Sequence, residues 1–352
     1  MITELLNTVD PRWNEVLASI PHDFYHLPGY IELEAIRMGG VAGAIYIEED
    51  GSRFLQPVVL RELPFNVPGL PADATDASSP YGYPGPLIDA RNGFMETLKT
   101  ALPRFMRERH ILSLFVRLNP LLNDPALLTG LGNFVAHGEV IWIDLTLAPE
   151  ELHRQTRSRY RSYLKKMKSE GVTVDFDENY DLYQTFIKLY YATMNDVGAD
   201  EMYYFDTDYF ERLREILGAN MKLVVVKHEG IIAAMGLFMR TGSIVQYHLS
   251  GKNVDSGQPH ATKAMMVFVR DWAKSVGAKI LNLGGGIGSE NDNLSQFKRG
   301  FSELTRPFYT WRLIGDSDYY DTCVKEWSRR ACCDVGATTG FFPSYRKPMM
   351  GS

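Results

Sequence analysis

A lysine between two phenylalanines is the residue of this chain best suited to stabilising a developing negative charge. Lys298 lies in the stretch FKRGF at residues 297–301. We expect this stretch to be extended, with Phe297 and Arg299 on one side and Lys298 and Gly300 on the other, because alternate side chains of a strand share a face. An ammonium among apolar groups is partly desolvated, which strengthens its attraction for the oxyanion of acyl transfer. The alternative is a surface lysine on an edge strand.

A glycine run precedes this lysine and follows a strand-like segment, KILNL at residues 279–283. Glycines let the backbone turn sharply and leave N–H groups open to a ligand. No Gly-Lys-Ser/Thr follows the run, which excludes a Walker loop, and no βαβ unit follows it, which argues against a dinucleotide fingerprint. We therefore expect Gly284, Gly285 and Gly286 to present N–H groups to a ligand, and the family resemblance described below implies that this ligand is the acyl donor.

A basic segment, RQTRSRYRSYLKKMK at residues 154–168, contains seven cations in fifteen residues. One helix through this segment would place Arg157, Arg161, Lys165 and Lys168 along one face. A solvated charged face is one interpretation. A track for phosphates is the other, and the formal net charge of −6 for the whole chain favours it, since a positive stripe on an acidic body is a localised polyanion site.

Signatures of several other chemistries are absent from the sequence. Asp175, Asp177, Asn179 and Asp181 alternate as in a calcium loop, but the glycine that such a loop requires is missing. There is no Gly-x-Ser-x-Gly elbow, no cysteine placed as a nucleophile and no HExxH spacing. The sequence therefore predicts neither a metal centre nor an enzyme nucleophile.

Composition limits the partners and the compartment. With 45% hydrophobic residues, three cysteines and no leader-like N-terminus, the chain is expected to be a reduced cytoplasmic protein. No apolar run reaches the length of a membrane span, so none is expected. Because the net charge is negative, we do not expect DNA as a partner.

Two similar strand–turn–strand segments indicate an internal repeat, at residues 44–61 and 223–240. Each has an acid–glycine pair at its turn, Asp50-Gly51 or Glu229-Gly230, and each ends in arginine. Asp-Gly between apolar runs is a strong hairpin signal, and Glu-Gly is a weaker one. A chance match between two hairpins is the alternative.

The elements around these hairpins predict a duplicated α+β unit rather than a doubly wound sheet. Helical periodicity precedes each hairpin, and the second is followed by a strand, a long helix and another strand. We expect the boundary near residues 146–156. The predicted divisions are a first domain at 1–150, a second, catalytic domain at 151–320 and a tail at 321–352.

Several segments together indicate a family. In the second half these are RSRYRSYLKKMKSEGV, YHLSG, WAKSVGAKILNLGGG and LSQFKRGF; in the first half, DFYHLPGYIELEA, SPYGYPGPLI and VRLNPLL. They resemble the FemABX family of aminoacyl-tRNA-dependent transferases and the related CelD-like acyltransferases, all of the GNAT superfamily. The resemblance covers most of residues 20–315, and Phe-Lys-x-Gly-Phe after a glycine-rich loop is its most specific part. It implies two tandem GNAT-like domains, with mixed sheets flanked by helices.

The resemblance also implies a reaction and a site. An acceptor amine attacks an activated carbonyl, either a tRNA aminoacyl ester or a thioester, and forms an amide without an enzyme nucleophile. Lys298 would stabilise the oxyanion or the leaving oxygen, with Phe297 beside it. The tRNA acceptor stem would meet Arg157, Arg161, Lys165 and Lys166, and the small-molecule amine acceptor would meet Tyr81, Tyr83, Arg117 and Tyr247.

The donor is the main alternative that the sequence leaves open. Simple GNAT enzymes hold the pyrophosphate of coenzyme A with a Gln/Arg-x-x-Gly-x-Gly/Ala loop. The corresponding residues here, 258–263, lack both glycines, and Pro259 removes an N–H donor. This favours aminoacyl-tRNA as co-substrate, with no other cofactor. The acceptor would be peptidoglycan-precursor-like or a natural product. An acyl-CoA-dependent N-acyltransferase acting on a sugar, polysaccharide precursor or small amine is the alternative, and a protein that only binds is a third, disfavoured by the Phe297–Lys298 pair.

Overall fold

The computed structural model describes residues 1–91, 93–286, 292–333 and 340–349. The polar loop at 287–291, which follows the glycine run, lies outside the described residues. The strands of the described chain are β1 (Ile2–Leu6), β2 (Val41–Glu49), β3 (Ser52–Glu62), β4 (Thr75–Ser78), β5 (Leu87–Asp89), β6 (Ile111–Arg117), β7 (Asn133–Asp144), β8 (Thr173–Phe176), β9 (Met221–His228), β10 (Ile231–Thr241), β11 (Ile244–Lys252), β12 (Ile280–Gly284) and β13 (Thr305–Ile314). The α-helices are α1 (Pro11–Ser19), α2 (Pro28–Met38), α3 (Phe94–Glu108), α4 (Pro149–Gln155), α5 (Ser158–Ser169), α6 (Tyr183–Asp196), α7 (Thr207–Leu217), α8 (Ala261–Ser275), α9 (Asn293–Lys298) and α10 (Ser317–Ala331).

The chain divides into two compact units. The first comprises Met1–His137 and Phe308–Ser352, and the second comprises Gly138–Pro307. This division differs from the predicted boundaries at 150 and 320 because two strands cross between the units. The end of β7 pairs with β12 of the second unit, whereas the end of β13 pairs with β6 of the first.

The first unit is built on a mixed sheet with the strand order β1-β2-β3-β4-β6-β13, and β5 also pairs with β3. β4 and β6 run parallel, and the other pairs of this unit are antiparallel. α3 packs Leu98, Leu102 and Phe105 into the main core of this unit. α10 contributes Cys323 and Trp327 to a second apolar cluster.

The second unit has a comparable sheet, in the order β7-β12-β11-β10-β9-β8. Here β11 and β12 form the parallel pair, and the other pairs given by the strand registers are antiparallel. α8 presents Met265, Met266 and Val269 to the core of this unit, which also contains Phe301. The α+β fold class and the helix between the last two strands agree with the sequence prediction.

Both predicted hairpins form. β2 and β3 are joined at Asp50-Gly51, and β9 and β10 at Glu229-Gly230. All four turn residues have positive φ, between 48° and 80°. Positive φ at both central positions matches the right-handed twist of paired strands, which explains the acid–glycine pair that the two segments share.

The stretch around Lys298 is helical, so the expected extended chain is wrong. Residues 293–298 form α9, because Asp292 caps the helix by accepting a hydrogen bond from the Ser295 N–H at 2.8 Å. Phe297 and Phe301 are four residues apart and meet edge to face with their ring centroids 5.4 Å apart. The chain turns at Gly300, where a Cβ atom would lie 2.0 Å from Cε2 of Tyr160.

The basic segment is not one continuous helix. It contains the end of α4 and most of α5, and the chain is extended at Thr156 and Arg157 between them. The buried Thr156 hydroxyl donates to the carbonyl of Leu152, and the Arg157 N–H donates to the carbonyl of Gly300 at 2.9 Å. Arg157 therefore lies just before α5 begins, and only Arg161, Lys165 and Lys168 of the expected face lie within the helix.

Candidate active site

The site lies where the parallel strands of the second unit cease to pair. Their register runs from Ile244 opposite Ile280 to Gln246 opposite Asn282, and β11 continues beyond it to Lys252. β11 contains a bulge there, because Leu249 pairs with Leu237 whereas Tyr247 pairs with Phe238. β12 is irregular at the same level, since its register with β7 shifts between Asn282 and Gly284.

Lys298 extends from α9 towards this strand end. Its side chain is buried, with 6% of the residue exposed, and its Nζ donates to the carbonyl oxygen of Gly285 at 2.5 Å. Nζ also lies 5.7 Å from the ring centroid of Tyr247. The structure thus brings together three of the predicted site residues, from the lysine motif, the glycine run and β11.

Burial makes the ammonium of Lys298 easier to deprotonate than that of an exposed lysine. Desolvation lowers the pKa of its ammonium to about 7, and the Asp292 carboxylate opposes that shift. Neighbouring Tyr247 stacks on Phe238 with centroids 5.3 Å apart, and its hydroxyl shares a hydrogen bond with that of Ser250 at 2.5 Å. Burial raises the pKa of Tyr247, so its hydroxyl is protonated at neutral pH. A lysine in this setting can supply a positive charge or accept a proton near pH 7.

Asn282 fixes the glycine turn, and the sequence analysis overlooked it. Asn282 is fully buried, and its Oδ1 accepts from the Gly284 N–H at 3.0 Å. Its Nδ2 has no hydrogen-bond partner among the described residues. Gly284 has φ 72°, so the turn also uses the freedom of glycine. The signal was an asparagine inside an otherwise apolar strand.

Phe297 joins an aromatic group with Tyr160 and Phe301. Tyr160 donates from its hydroxyl to the carbonyl of Phe297 at 3.2 Å. The ammonium of Lys263, in the first turn of α8, lies 5.5 Å from the ring centroid of Phe297 and 4.9 Å from that of Tyr160. Lys263 was not among the predicted site residues, although the segment 258–263 was considered as a cofactor loop.

The predicted donor-binding cations have different surroundings. Arg161 donates from Nη1 to the carbonyls of His153, Arg154 and Thr156, at 3.2, 3.0 and 2.6 Å, and so caps the end of α4. Arg157 lies 3.6 Å from a Glu303 carboxylate oxygen. Lys165 is exposed, and Lys166 is 3.6 Å from Glu170.

Tyr81, Tyr83 and Arg117 lie in the first unit, around a loop that buried side chains hold in place. Arg117 donates weakly to the Ser79 and Pro80 carbonyls at 3.4 and 3.5 Å. Four other carbonyl groups of the loop are hydrogen-bonded to side chains. The carbonyls of residues 81, 84, 85 and 86 bond to Tyr30, Gln56, His26 and Asn123, respectively. Both tyrosines are half-buried. Tyr247, the fourth predicted acceptor residue, belongs to the second unit.

The described residues lack two features, a membrane-spanning helix and a metal-binding cluster. No helix there is long and apolar enough to cross a membrane. The same residues contain no group of three or more His, Cys, Asp or Glu side chains that could hold a metal ion.

Comparisons with known proteins agree with this architecture. Residues 154–299 match the family described as acetyltransferase (GNAT) domain, a span that includes Lys298. A search of curated protein sequences finds no match. Among solved structures the chain is similar to FemX, with a TM-score of 0.68 and 16% identity over 90% of this chain and 99% of that chain.

Two other solved structures are similar to the chain. One is the C-terminal domain of a putative lysylphosphatidylglycerol synthetase from Agrobacterium fabrum, with a TM-score of 0.55 and 15% identity over 94% of this chain and 99% of that one. The other is L-PGS from Bacillus licheniformis, with a TM-score of 0.55 and 14% identity over 90% and 96%. At these identities the likenesses establish the fold. The resemblance noted from the sequence is confirmed: residues 154–299 match a GNAT acetyltransferase domain, the chain has the fold of FemX, and it is an acyltransferase.

Proposed function

We propose that the chain transfers an amino acid from an aminoacyl-tRNA to an amine of a small acceptor, either a peptidoglycan-precursor-like molecule or a natural product. The observation that carries this proposal is the buried Lys298, whose ammonium lies where β11 and β12 no longer pair with each other. A desolvated cation at a strand end suits a reaction in which negative charge develops on a carbonyl oxygen.

The proposed reaction forms one bond and breaks one. The acceptor nitrogen attacks the ester carbonyl, a C–N bond forms, and the carbonyl oxygen becomes an oxyanion beside protonated Lys298. The tetrahedral intermediate collapses with cleavage of the C–O bond to the ribose. The amine loses one proton and the leaving ribose oxygen gains one, so the exchange is balanced. An additional nucleophile is not needed.

Cations on α5 and α8 support an RNA donor. Arg157, Arg159, Lys165 and Lys166 lie on α5 or at its N-terminal end. Lys263 lies in the first turn of α8, with its ammonium 5.5 Å from the ring centroid of Phe297. Their charge contrasts with the net −6 of the whole chain. Such a local patch attracts the phosphates of a polyanion.

On the acceptor side, we assign Tyr247, beside Lys298, to contact with the attacking amine, and we keep Tyr81, Tyr83 and Arg117 of the first unit as candidate residues for holding an acceptor. The buried hydrogen bonds that fix residues 81–86 support these candidates, because a rigid loop holds its side chains ready for a ligand. The Tyr247 ring borders the Lys298 ammonium, where an attacking amine would have to arrive.

An acyl-CoA-dependent N-acyltransferase is the second candidate. It is favoured by the description of the matching family as an acetyltransferase domain, over residues 154–299. Against it stands Pro259, which removes a backbone donor immediately before α8.

Donor binding separates these candidates without knowledge of the acceptor. The protein is titrated with a non-hydrolysable aminoacyl-RNA microhelix and, separately, with acetyl-CoA, and the heat of binding is measured at two salt concentrations. Salt-sensitive binding of the RNA with no response to acetyl-CoA supports the tRNA-dependent reaction. Saturable binding of acetyl-CoA alone overturns it in favour of the second candidate. Lys298→Met serves as a control, since it should keep donor affinity while losing turnover.

A further inference from the structure

A surface stack of two rings lies at the junction of α5 and α8. Tyr163 and His260 stack with their centroids 3.7 Å apart and their planes 24° apart. Both residues are partly exposed. Neither ring belongs to the apolar core of the second unit. Core packing therefore does not account for this pair, and aromatic faces at a surface are platforms on which nucleobases stack.

Three cations surround the stack. Arg159 donates from Nε to the Tyr163 hydroxyl, and its guanidinium carbon lies 5.4 Å from the centroid of that ring. Lys263 Nζ lies 3.3 Å from His260 Nδ1 and 5.8 Å from the Tyr163 centroid. Lys166 is near enough to act on His260: burial lowers the pKa of the imidazole first, and Lys263, Arg159 and Lys166 lower it further. The imidazole is consequently neutral at neutral pH.

Negative charge is scarce at this position. Glu170, 3.6 Å from Lys166, is the acidic partner of the group. Within the described parts of the chain, neither Arg159 nor Lys263 has a carboxylate oxygen within 4.0 Å. Burial and the Arg159 charge lower the pKa of Lys263, so the cations repel one another in the free protein. A bound anion would relieve that repulsion.

The stack is connected to the reacting end of the site through Lys263. The ammonium that contacts His260 also lies 5.5 Å from the ring centroid of Phe297, the residue before Lys298. A ligand on the stack would therefore lie one side-chain layer from the lysine motif.

We propose that Tyr163 and His260 bind a purine base of the acyl donor by stacking, and that Arg159, Lys166 and Lys263 bind a phosphate of the same nucleotide. The inference rests on the proposed function for the identity of the ligand as donor. The terminal adenosine of a tRNA and the adenosine of coenzyme A have the same chemistry here, namely a purine attached to a phosphorylated ribose. Side chains would thus replace the backbone donors that Pro259 and the missing glycines take away.

Adenosine 3′,5′-bisphosphate and ribose 5-phosphate test the site itself, because the second probe lacks the base. We expect calorimetry to give a dissociation constant for the bisphosphate that rises about tenfold or more in Tyr163→Leu and in His260→Ala. Lys263→Gln should weaken both probes, whereas Tyr163→Leu should leave ribose 5-phosphate unaffected. Lys168→Gln, an exposed cation of α5 outside the group, is the matched control and should change neither. Thermal unfolding verifies that each variant is folded.

Bisphosphate affinity that is equal in the parent and both aromatic variants, or absent in the parent, overturns the inference. If the bisphosphate does bind through the stack, two longer probes distinguish tRNA from coenzyme A as the source of the adenosine. RNA is identified if removal of the terminal adenosine from the microhelix weakens its binding to the parent protein but not its binding to Tyr163→Leu. Acetyl-CoA with the same dependence on Tyr163 identifies coenzyme A, and either result supports the purine site.

The same titrations separate failure of the site from failure of the proposed function. If a donor binds the parent, Tyr163→Leu and His260→Ala equally, the purine site is overturned and the transferase proposal remains. If neither donor binds while adenosine 3′,5′-bisphosphate still binds through Tyr163, the site is supported and the proposed donor is overturned.

Discussion

At the scale of the residue, burial makes the charge of Lys298 depend on pH in the physiological range. Its pKa is lowered to about 7, so the ammonium is present below pH 7 and is lost as the pH rises through that value. If Lys298 stabilises an oxyanion, the single-turnover rate of amide formation should fall above pH 7. Lys298→Met should lose about 10²-fold or more in rate at pH 6.

Lys298→Arg provides the control. Its guanidinium stays charged, so the rate of amide formation should fall less above pH 7 than it does in the parent. A parent rate that rises through pH 7 would contradict the oxyanion role and would assign the neutral lysine as proton acceptor for the attacking amine.

Asn282 should act on the reaction through the glycine turn. Asn282→Ala removes the acceptor of the half-buried Gly284 N–H, and loss of this hydrogen bond should cost about 0.5–1.5 kcal/mol in the free energy of unfolding. The Gly285 carbonyl, which accepts from Lys298, should then be held less firmly, and the rate should fall. Urea denaturation and single-turnover kinetics measure the two effects.

Asn282→Asp makes this prediction specific. It keeps an oxygen for the Gly284 N–H but adds a buried negative charge, which should raise the pKa of Lys298 and move the fall in rate to higher pH. Asn282 would have no role in the site if two results were found together. The rate of Asn282→Asp would fall at the same pH as that of the parent, and Asn282→Ala would be as stable as the parent.

At this scale, sequence reasoning selected Lys298, which the structure buries, and overlooked Asn282 and Lys263, whose contacts only the structure shows. A lysine between two phenylalanines has few structural uses, so its type and neighbours are informative. The role of Asn282 depends on a bulge at the end of β12, and that of Lys263 on the proximity of α8 to α5 and α9. Neither relation is encoded in local spacing.

At the scale of the element, the FKRGF stretch fitted two periodicities. Phenylalanines four residues apart share a face of a helix and also share a face of a strand. The Asp292 cap and the packing of Phe297 and Phe301 against Tyr160 decide for the helix. The apolar stripe of the long helix predicts residues 260–276, and α8 forms at Ala261–Ser275, because a stripe of that length leaves no such ambiguity.

Gly300 should be required for the contact between α9 and α5. Gly300→Ala places a Cβ atom 2.0 Å from Cε2 of Tyr160, and overpacking of this kind costs about 1–3 kcal/mol in the free energy of unfolding. Tyr160→Leu removes Cε2, the atom with which that Cβ atom would clash. The double variant should therefore lose less stability than the sum of the two single variants, as measured by urea denaturation. Additive losses would show that the glycine is needed for another reason.

At the scale of the whole molecule, the two units have sheets of like order but different strand ends. In the first unit, Ser79 joins the parallel pair: its N–H donates to the Phe115 carbonyl at 2.7 Å, and its hydroxyl accepts from the Arg117 N–H at 2.9 Å. In the second unit, the corresponding position contains the bulged end of β11 and the lysine. The difference explains why chemistry is assigned to the second unit.

The repeat and the fold class were predictable because hairpin turns and helix periodicity are local signals. The boundaries were not, because β7 and β13 cross between the units and residues 308–352 return to the first. That return depends on contacts between segments distant in sequence, such as Ser113 with Tyr345 at 2.9 Å.

RNA binding by an acidic chain should depend steeply on salt. With a net charge of −6, affinity must come from the local cations Arg157, Arg159, Lys166 and Lys263. If all four contact phosphates of a single-stranded end, the logarithm of the association constant should fall with the logarithm of salt with a slope of about −3, at about 0.7 per contact. Lys263→Gln should reduce the magnitude of that slope by about 0.7.

Arg161→Gln is the matched comparison, because it removes one cation from α5, the helix that also contains Arg159 and Lys166. The Arg161 guanidinium is held by three carbonyls at the end of α4, so its loss should lower the unfolding temperature and leave the slope unchanged. Equal changes in slope for Lys263→Gln and Arg161→Gln would mean that the RNA follows the whole basic segment rather than the group around the Tyr163–His260 stack. A parent slope near zero would mean that the cations are merely solvated, and the acyl-CoA donor would then be favoured.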